Sequence, residues 1–376
     1  VSEKVRVLVV DDSAVVRRLL SEILSADSEI ELVGSAPNAA LAIAKIRQAP
    51  PDVVTLDVEM PEVSGLELLA QIRKLAPRLP VIMFSALTQR AAATTLEALA
   101  LGASDYVTKP SGTNSREDAI EQVRAQLLPK IKALARGRFR IGVPISIASR
   151  PGESKPSRSS ISPIARASPR IDALVVAAST GGPNALAHMF KDIPQSFPVP
   201  ILVVQHMPPL FTRLLAERLT STCPLKFCEG HDGREVVPGE VCIAPGDHHM
   251  VVRREGTKSR IEIIQTPPEN SVRPAADVLF RSCAIAYGAN LLAVVLTGMG
   301  QDGLRGCEAV KAAGGWIVAQ DEASSVVWGM PGFVTRAGLA DRVLPLPEIA
   351  AEMNQRVHRS PARDASSFLP LSNHGR

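Results

Sequence analysis

Aromatic side chains are scarce. Phe, Trp and Tyr make up 3% of the 376 residues, which argues against a surface that stacks nucleic-acid bases on a row of rings. Long apolar runs are missing as well. None approaches the roughly 18 residues of a membrane-spanning helix, so direct membrane insertion is not expected. Cysteines number five, at positions 223, 228, 242, 283 and 307, with no Cys-x-x-Cys pair among them. A sparse, odd set reads as free buried thiols in a reducing cytoplasm rather than as a disulfide framework. Cys223 and Cys228 have no matching His/Cys pair to make a zinc site. The first residues carry Glu3, Lys4 and Arg6 ahead of a strand-like stretch; this is not the pattern of a signal peptide, and the expected location is cytoplasmic.

A folded face of one charge sign is also wanting. The formal charge is +4 overall, but residues 136–170 carry net +7 and residues 356–376 net +3, so the remainder is acidic by six charges. The first segment is rich in Ser, Pro, Arg and Gly without amphipathic periodicity and reads as a linker. The second has little to pack and reads as a flexible tail. Positive charge therefore lies outside the expected folded units, and no nucleic-acid partner is implied.

What the chain does have is two alternations of apolar strand and amphipathic helix. Its length suits two domains. Runs at Val5–Val10, Glu31–Ser35, Val53–Leu56, Val81–Phe84 and Ala103–Val107 have strand length. Between and after them come helical patterns such as Ser13–Leu24, Leu66–Leu75, Ala91–Leu101 and Ser115–Ala135. Alternation of this kind predicts a doubly wound parallel sheet. A second α/β unit begins at Ile171, with strands at Ala173–Ala177, Val199–Val204, Leu291–Leu296 and Trp316–Ala319. Helices are expected at Phe211–Leu219, Pro274–Tyr287 and Asp302–Ala313, and a small antiparallel patch from Val241–Ala244, Met250–Arg253 and Ile261–Gln265. The fold class is thus α/β with two parallel-sheet domains. The expected divisions are 1–125, a helix end and basic linker at 126–170, 171–355, and the tail 356–376.

Strand C-terminal ends in a parallel sheet converge on one edge, where sites form. Asp11 and Asp12 follow the first strand of the first unit, Asp57 the third, Ser85 the fourth and Lys109 the fifth. Three carboxylates at one edge repel unless a divalent cation neutralises them, and hard oxygen ligands suit Mg²⁺. With a lysine and a hydroxyl nearby, Asp57 is placed to become an aspartyl phosphate. Alone, each Asp could be a helix cap and Lys109 a surface charge; five such residues at the ends of four strands make coincidence a poor account. Residues 1–125 resemble a response-regulator receiver domain, through Val9-Val10-Asp11-Asp12-Ser13, Asp57-Val58-Glu59-Met60-Pro61 with Gly65, Ser85-Ala86 and Thr108-Lys109-Pro110. The resemblance implies a flavodoxin-like fold and phosphorylation of Asp57 by a histidine kinase. It further implies Mg²⁺ on Asp11, Asp12, Asp57 and the Glu59 carbonyl, phosphoryl contacts from Ser85 and Lys109, and Tyr106 as the switch aromatic.

In the second unit Ser179 lies at a strand-to-helix turn, in Ala178-Ser179-Thr180-Gly181-Gly182-Pro183. The strict Gly-x-Ser-x-Gly elbow fails at Ala177, so a bare tight turn or a phosphate cradle stays open for this motif alone. His206 follows the next strand and could be structural; Asp302 follows a later one and could be an N-cap. All three stand at C-terminal ends of separate parallel strands, which makes them a candidate catalytic triad of nucleophile, base and orienting carboxylate. The Thr180 and Met299 N–H groups are candidate oxyanion donors. Residues 171–350 are similar to the catalytic domain of the CheB family of protein-glutamate methylesterases. The matching stretches are the Ser179 turn, Gln205-His206-Met207-Pro208, Ile243-Ala244-Pro245-Gly246, Arg273-Pro274, Thr297-Gly298-Met299-Gly300 with Asp302-Gly303, and Gln320-Asp321-Glu322 with Gly329-Met330-Pro331. The resemblance implies a Rossmann-like domain, hydrolysis of γ-glutamyl methyl esters on chemoreceptor cytoplasmic domains with release of methanol, and receptor glutamine deamidation in some members. It implies a chemotaxis-type histidine kinase as phosphodonor and no cofactor for the ester chemistry.

The competing readings are a phospho-controlled binding module with a dead hydrolase domain, and a transcription factor. The intact Ser179, His206 and Asp302 set opposes the first. The second lacks a helix-turn-helix pattern. Three other features receive plain structural expectations. His248-His249 reads as a surface loop, Trp316 and Trp328 as core or cleft packing, and Arg273 as either a contact to an acidic receptor surface or a salt-bridge partner.

Overall fold

The structure, a computed structural model, describes residues 4–112, 115–140 and 170–358. Residues 359–376 of the expected tail and nearly all of the expected basic linker lie outside these residues, whereas 356–358 are helical.

Five strands, β1 (Val5–Val10), β2 (Ile30–Ala36), β3 (Val53–Asp57), β4 (Val81–Ser85) and β5 (Asp105–Thr108), form a sheet in the order β2-β1-β3-β4-β5. Every pairing in it is parallel. Strands buried on both faces must be apolar throughout, and β3 and β4 are buried along their whole length. The helices are α1 (Ala14–Ser25), α2 (Ala39–Gln48), α3 (Gly65–Leu75), α4 (Gln89–Ala100) and α5 (Arg116–Arg140). Ser13, Asn38, Ser64 and Thr88 cap the first four with side-chain oxygens, each accepting a backbone N–H three residues on. Each such cap is worth about 1 kcal/mol. The helical stripes then divide. Leu20, Ile23 and Leu24 of α1 and Val123, Leu127 and Ile131 of α5 cover one face. Residues such as Ile46, Leu68, Ile72 and Leu96 from α2, α3 and α4 cover the other.

The second sheet has seven strands, β6 (Ala173–Ala178), β7 (Ile201–Gln205), β8 (Lys226–Glu229), β9 (Glu240–Ile243), β12 (Leu291–Val295), β13 (Trp316–Gln320) and β14 (Arg342–Leu344), in the order β14-β13-β12-β6-β7-β9-β8. All its pairings are parallel. Strands β10 (His249–Glu255) and β11 (Lys258–Ile264) make a separate antiparallel hairpin. The stretch Val241–Ala244 therefore does not join the antiparallel patch expected from sequence. As β9 it runs parallel between β7 and β8, because the chain returns to the same end of the sheet before it enters the strand. Helices α6 (Gly182–Lys191), α7 (Phe211–Thr222) and α11 (Leu346–His358) pack on one face. Helices α8 (Ala276–Tyr287), α9 (Leu304–Ala312) and α10 (Met330–Arg336) pack with the hairpin on the other. From β6 the chain passes to β7 on one side and later to β12 on the other, so the crevice beside its C-terminal end is the switch point where α/β sheets place their sites.

His248-His249 also differs from expectation. His249 opens β10 and is fully buried. Its ring accepts the Ala275 N–H at 3.1 Å and lies 3.1 Å from the Pro267 carbonyl oxygen. A strand start facing the α8 entry, not a surface loop, accounts for it. Arg273 pairs with Asp247 at 2.6 Å. Trp328 donates its indole N–H to the Gln320 carbonyl. Among the described residues no helix is long and apolar enough to cross a membrane.

Candidate active site and phospho-acceptor pocket

The first cluster forms at the C-terminal edge of the five-stranded sheet. Asp11, Asp12 and Asp57 each offer a carboxylate oxygen within 4.8 Å of the others. Asp11 and Asp57 are buried and Asp12 is exposed. Lys109 reaches across from the end of β5, with Nζ 2.9 Å from Asp57 Oδ1 and 3.6 Å from Asp11 Oδ2. Burial, reinforced by the Asp57 charge, pushes the Asp11 carboxyl up to about 6 in spite of Lys109. Burial also raises Asp57 against the hydrogen bond and charge of Lys109. Both acids are thus under-neutralised by protein groups. Asp11 Oδ2 and Asp57 Oδ2 are buried without a hydrogen-bond partner, and that orphaned pair beside a third carboxylate fits a hard divalent cation.

The remaining receiver residues are placed differently from one another. Glu59 donates its backbone N–H to Asp57 Oδ1 at 3.3 Å. The Ser85 hydroxyl is turned toward α4, donating to the Ala91 carbonyl and accepting from Thr95 Oγ1 at 2.7 Å. Ser85 is therefore not hydrogen-bonded to Asp57. Tyr106 is buried and stacks on Phe211 of α7, with ring centroids 4.7 Å apart and planes 8° apart.

The second cluster forms at the switch point of the seven-stranded sheet. Ala178 pairs with Gln205 in the β6–β7 register, so Ser179 and His206 leave adjacent strand ends. His206 donates its backbone N–H to the Ala178 carbonyl at 3.2 Å. Its ring Nε2 lies 2.7 Å from Asp302 Oδ2, which leaves Nδ1 as the nitrogen available to a hydroxyl. Asp302 is buried and receives more than the imidazole. The N–H groups of Ala276, Asp277 and Gly303 donate to it at 2.6, 3.0 and 3.0 Å. The first two belong to the open N-terminus of α8, which has no side-chain cap of its own; an anion is favoured there. Burial works to raise the Asp302 carboxyl, but the His206 hydrogen bond and charge and the α8 amides outweigh it and hold the carboxyl below its ordinary value.

Glycines make the close approach possible. A Cβ on Gly298 would fall 2.3 Å from Met330 Sδ and 2.9 Å from Ser179 Cβ, so only a bare backbone lets the Gly298-Met299 turn lie against the serine. Gly181 has φ 77°, and a Cβ there would meet Val326 at 2.7 Å. Among the described residues, neither the Thr180 nor the Met299 backbone N–H has an acceptor, and the Ser179 hydroxyl makes no hydrogen bond. The two amides are free to receive an anion.

Three residues to which the sequence assigned no role complete the setting. Gln205 donates to the Ser179 carbonyl at 3.0 Å. Asn270 divides its amide between Asp277 Oδ2 at 2.8 Å and Asp302 Oδ1 at 3.2 Å. Asp277 in turn accepts the Gly306 N–H at 2.6 Å, and its carboxyl is raised by burial and by the neighbouring Asp302 charge. Two buried carboxyls are pushed in opposite directions, with Asp302 kept anionic. The Asn270-x-x-Arg273-Pro274-x-x-Asp277 spacing was the signal available.

A family model described as a response regulator receiver domain matches residues 7–121, and one described as CheB methylesterase matches residues 174–353. A Trichodesmium erythraeum protein named protein-glutamate methylesterase/protein-glutamine glutaminase is 49% identical over 354 residues, covering 94% of this chain and 99% of its own length. This chain belongs to the CheB family. A Nocardioides relative of the same name is 47% identical, covering 97% of this chain and 98% of its own. A Thermotoga maritima CheB methylesterase catalytic domain of known structure is 43% identical, covering 49% of this chain and 98% of its own, with a TM-score of 0.49. As a CheB-family member the chain is a hydrolase, a methylesterase with a response-regulator receiver in the same polypeptide.

In this CheB-family enzyme the two domains touch beside the two clusters. The Thr180 hydroxyl, one residue from Ser179, donates to Asp105 Oδ2 of β5 at 2.7 Å. Lys130 of α5 holds the same Asp105 oxygen at 3.0 Å and donates to the Tyr106 carbonyl at 2.7 Å. Asn184 of α6 donates to the Leu99 carbonyl of α4 at 2.6 Å. The receiver edge carrying Tyr106 and Lys109 is thereby fastened to the turn carrying the candidate nucleophile.

Proposed function

We propose that this enzyme hydrolyses γ-glutamyl methyl esters on the cytoplasmic domains of chemoreceptors, in the cytoplasm, through Ser179, His206 and Asp302. The reading is carried by one observation: an imidazole held by a buried, multiply hydrogen-bonded carboxylate leaves the strand end adjacent to an unpartnered serine. Ser179 Oγ attacks the ester carbonyl carbon while His206 Nδ1 takes its proton. Charge on the carbonyl oxygen is met by the Thr180 and Met299 N–H groups. The bond to the methoxy oxygen breaks, His206 returns the proton, and methanol leaves. Water, deprotonated by the same ring, then attacks the acyl carbon, the bond to Ser179 Oγ breaks as that oxygen takes the proton back from His206, and the receptor side chain is left as glutamate. An amide in place of the ester gives ammonia by the same steps, the glutaminase reaction in the relatives' names.

In this reading residues 1–125 are the receiver, 126–170 a helix end and linker, 171–355 the catalytic domain and 356–376 a tail. Asp57 takes a phosphoryl group from a chemotaxis-type histidine kinase, with Lys109 beside the incoming charge. Asp11, Asp12, Asp57 and the Glu59 carbonyl would hold Mg²⁺, which supplies Lewis-acid neutralisation of the phosphoryl oxygens. Ser85 and Tyr106 respond to phosphorylation, Ser85 turning from Thr95 toward the phosphoryl group.

Methylated receptor membranes provide the test. Wild-type enzyme is expected to release methanol, and Ser179→Ala to lose at least about 10⁴-fold of that rate, as serine hydrolases do without their nucleophile. Equal release by both proteins would overturn the assignment. For the pocket, saturating Mg²⁺ is expected to stabilise the receiver by about 2–3 kcal/mol. A thermal melt with and without chelator reads the shift, and Asp11→Asn with Asp12→Asn should erase it.

A further inference from the structure

Two of the five cysteines are not isolated. Cys228 of β8 and Cys242 of β9 are register partners on neighbouring parallel strands, and their sulfurs are 3.3 Å apart. Register partners point to the same face of a sheet. Neighbouring strands lie about 4.7–4.9 Å apart, inside the roughly 4.4–6.8 Å span of Cα separations that a disulfide bridges. The two sulfurs are thus in contact across one strand spacing, within the range of separations from which a bond can form. The pair also has an entry. β8 is the last strand of the sheet, and Cys228 is partly exposed while Cys242 is buried.

We propose that Cys228 and Cys242 form a reversible redox site, closing to a disulfide when the enzyme meets a peroxide and reopening with a dithiol reductant. The chemistry balances in two steps. Cys228 thiolate attacks one peroxide oxygen, the O–O bond breaks, and a sulfenic acid forms with loss of hydroxide. Cys242 sulfur then attacks the sulfenic sulfur, its proton leaves with the departing oxygen as water, and the S–S bond forms. Two thiols are oxidised by two electrons and one peroxide is reduced to two waters.

Exposure assigns the attacking role to Cys228, the partly exposed member of the pair. The contact with Cys242 holds the Cys228 thiol below the ordinary range against burial, and the Arg234 guanidinium adds positive charge beside both sulfurs. Cys242 is pushed up by the contact with Cys228 and by burial. Arg234 itself is anchored by Glu240 at 2.7 Å. A lowered thiol next to a cation, with a resolving thiol in contact, is the environment of a reactive cysteine. The other three lack it. Cys283 is fully buried and pushed up to about 12 by burial, Cys307 is fully buried and raised for the same reason, and Cys223 is buried and raised. Cytoplasmic disulfides that do occur are mostly of this transient, sensing kind.

The test uses the full-length reduced enzyme treated with hydrogen peroxide, quenched, denatured and titrated for thiols. The count is expected to fall from the five free cysteines to three and to return to five with dithiothreitol. A non-reducing peptide map should show one linked pair, joining the Cys228 and Cys242 peptides and lighter by two hydrogens than their sum. Cys228→Ser and Cys242→Ser should each remove that linked species, while Cys223→Ser leaves it. Overturning results are a count that stays at five, oxidation of Cys228 to sulfinic acid with Cys242 still a thiol, or linkage of either residue to Cys223. The wild-type peptide map decides the matter even where a variant folds poorly.

Discussion

Asp302→Asn is expected to lower kcat for methyl-ester hydrolysis by about 10⁴-fold, the scale on which other serine hydrolases suffer when the orienting acid becomes an amide. The reason is visible in the donor count. Asp302 faces the His206 ring, the Asn270 amide and the N–H groups of Ala276, Asp277 and Gly303. A carboxylate has two acceptor oxygens, which divide these donors as three on Oδ1 and two on Oδ2. An asparagine has one acceptor oxygen, and its NH₂ must point at either the imidazole or the helix amides. Turned toward His206, it makes Nε2 the acceptor and puts the ring proton on Nδ1, the nitrogen that must take the proton from Ser179. Turned the other way, it opposes the α8 N-terminus, and the helix start loses its anion.

The same substitution carries a stability signature. The folded-state carboxyl of Asp302 lies below its ordinary value of 3.8, so the unfolded chain binds its proton first as pH falls. The group therefore contributes stability in full above its unfolded pKa and loses it as pH drops through the folded one. Thermal melts of wild type should fall below about pH 4 by a margin that Asp302→Asn does not share, since the amide has no proton to gain. An asparagine variant with unchanged kcat would remove Asp302 from the mechanism. Parallel acid transitions in both proteins would remove it from the stability argument.

Strand ends were legible from sequence because parallel strands carry their apolar runs and then stop on the functional residue. Asp57 closes β3, the candidates Ser179 and His206 come directly after β6 and β7, and Asp302 lies in the turn between β12 and α9. Edge elements were not legible. β8 is four residues long with Lys226 and Glu229 at its ends, too short and too polar to declare itself. Without β8, the neighbouring Val241–Ala244 looked like part of the hairpin that follows it. His249 was misread for a related reason, since the groups that surround its ring come from Pro267 and Ala275, well beyond any local pattern. Asn270 and Asp277 meet Asp302 only after α8 has docked. The Thr180–Asp105 bond joins residues 75 positions apart in two domains, and nothing in either stretch advertises the other.

That interdomain bond leads to an expected gain of activity. Asp105→Ala should raise methanol release from receptors by unphosphorylated enzyme about tenfold or more. A receptor helix is about 10 Å across, and none fits over Thr180 while Asp105 stands 2.7 Å from its hydroxyl. Productive binding of a receptor therefore requires the receiver to leave. A hydrogen bond to a charged group contributes about 1.5–3 kcal/mol, and about 1.4 kcal/mol moves a two-state equilibrium tenfold. The Tyr106–Phe211 stack and the Asn184–Leu99 bond remain in the variant, so release is partial. Asp105 and Tyr106 lie on the strand that ends at Lys109, the cation held by Asp57. Phosphorylation of Asp57, as proposed, would give Lys109 a new anion to bind at the end of the strand that carries the latch. The double variant Asp57→Asn, Asp105→Ala separates the latch from the phosphoryl group. It should keep the raised basal rate and ignore phosphodonor, whereas Asp57→Asn alone should stay slow. A small methyl ester that can pass the receiver should gain much less from Asp105→Ala than receptors do. If receptor release is unchanged in the double variant, the Asp105 contact does not hold the closed state, and closure rests on the aromatic stack and the α4 contacts.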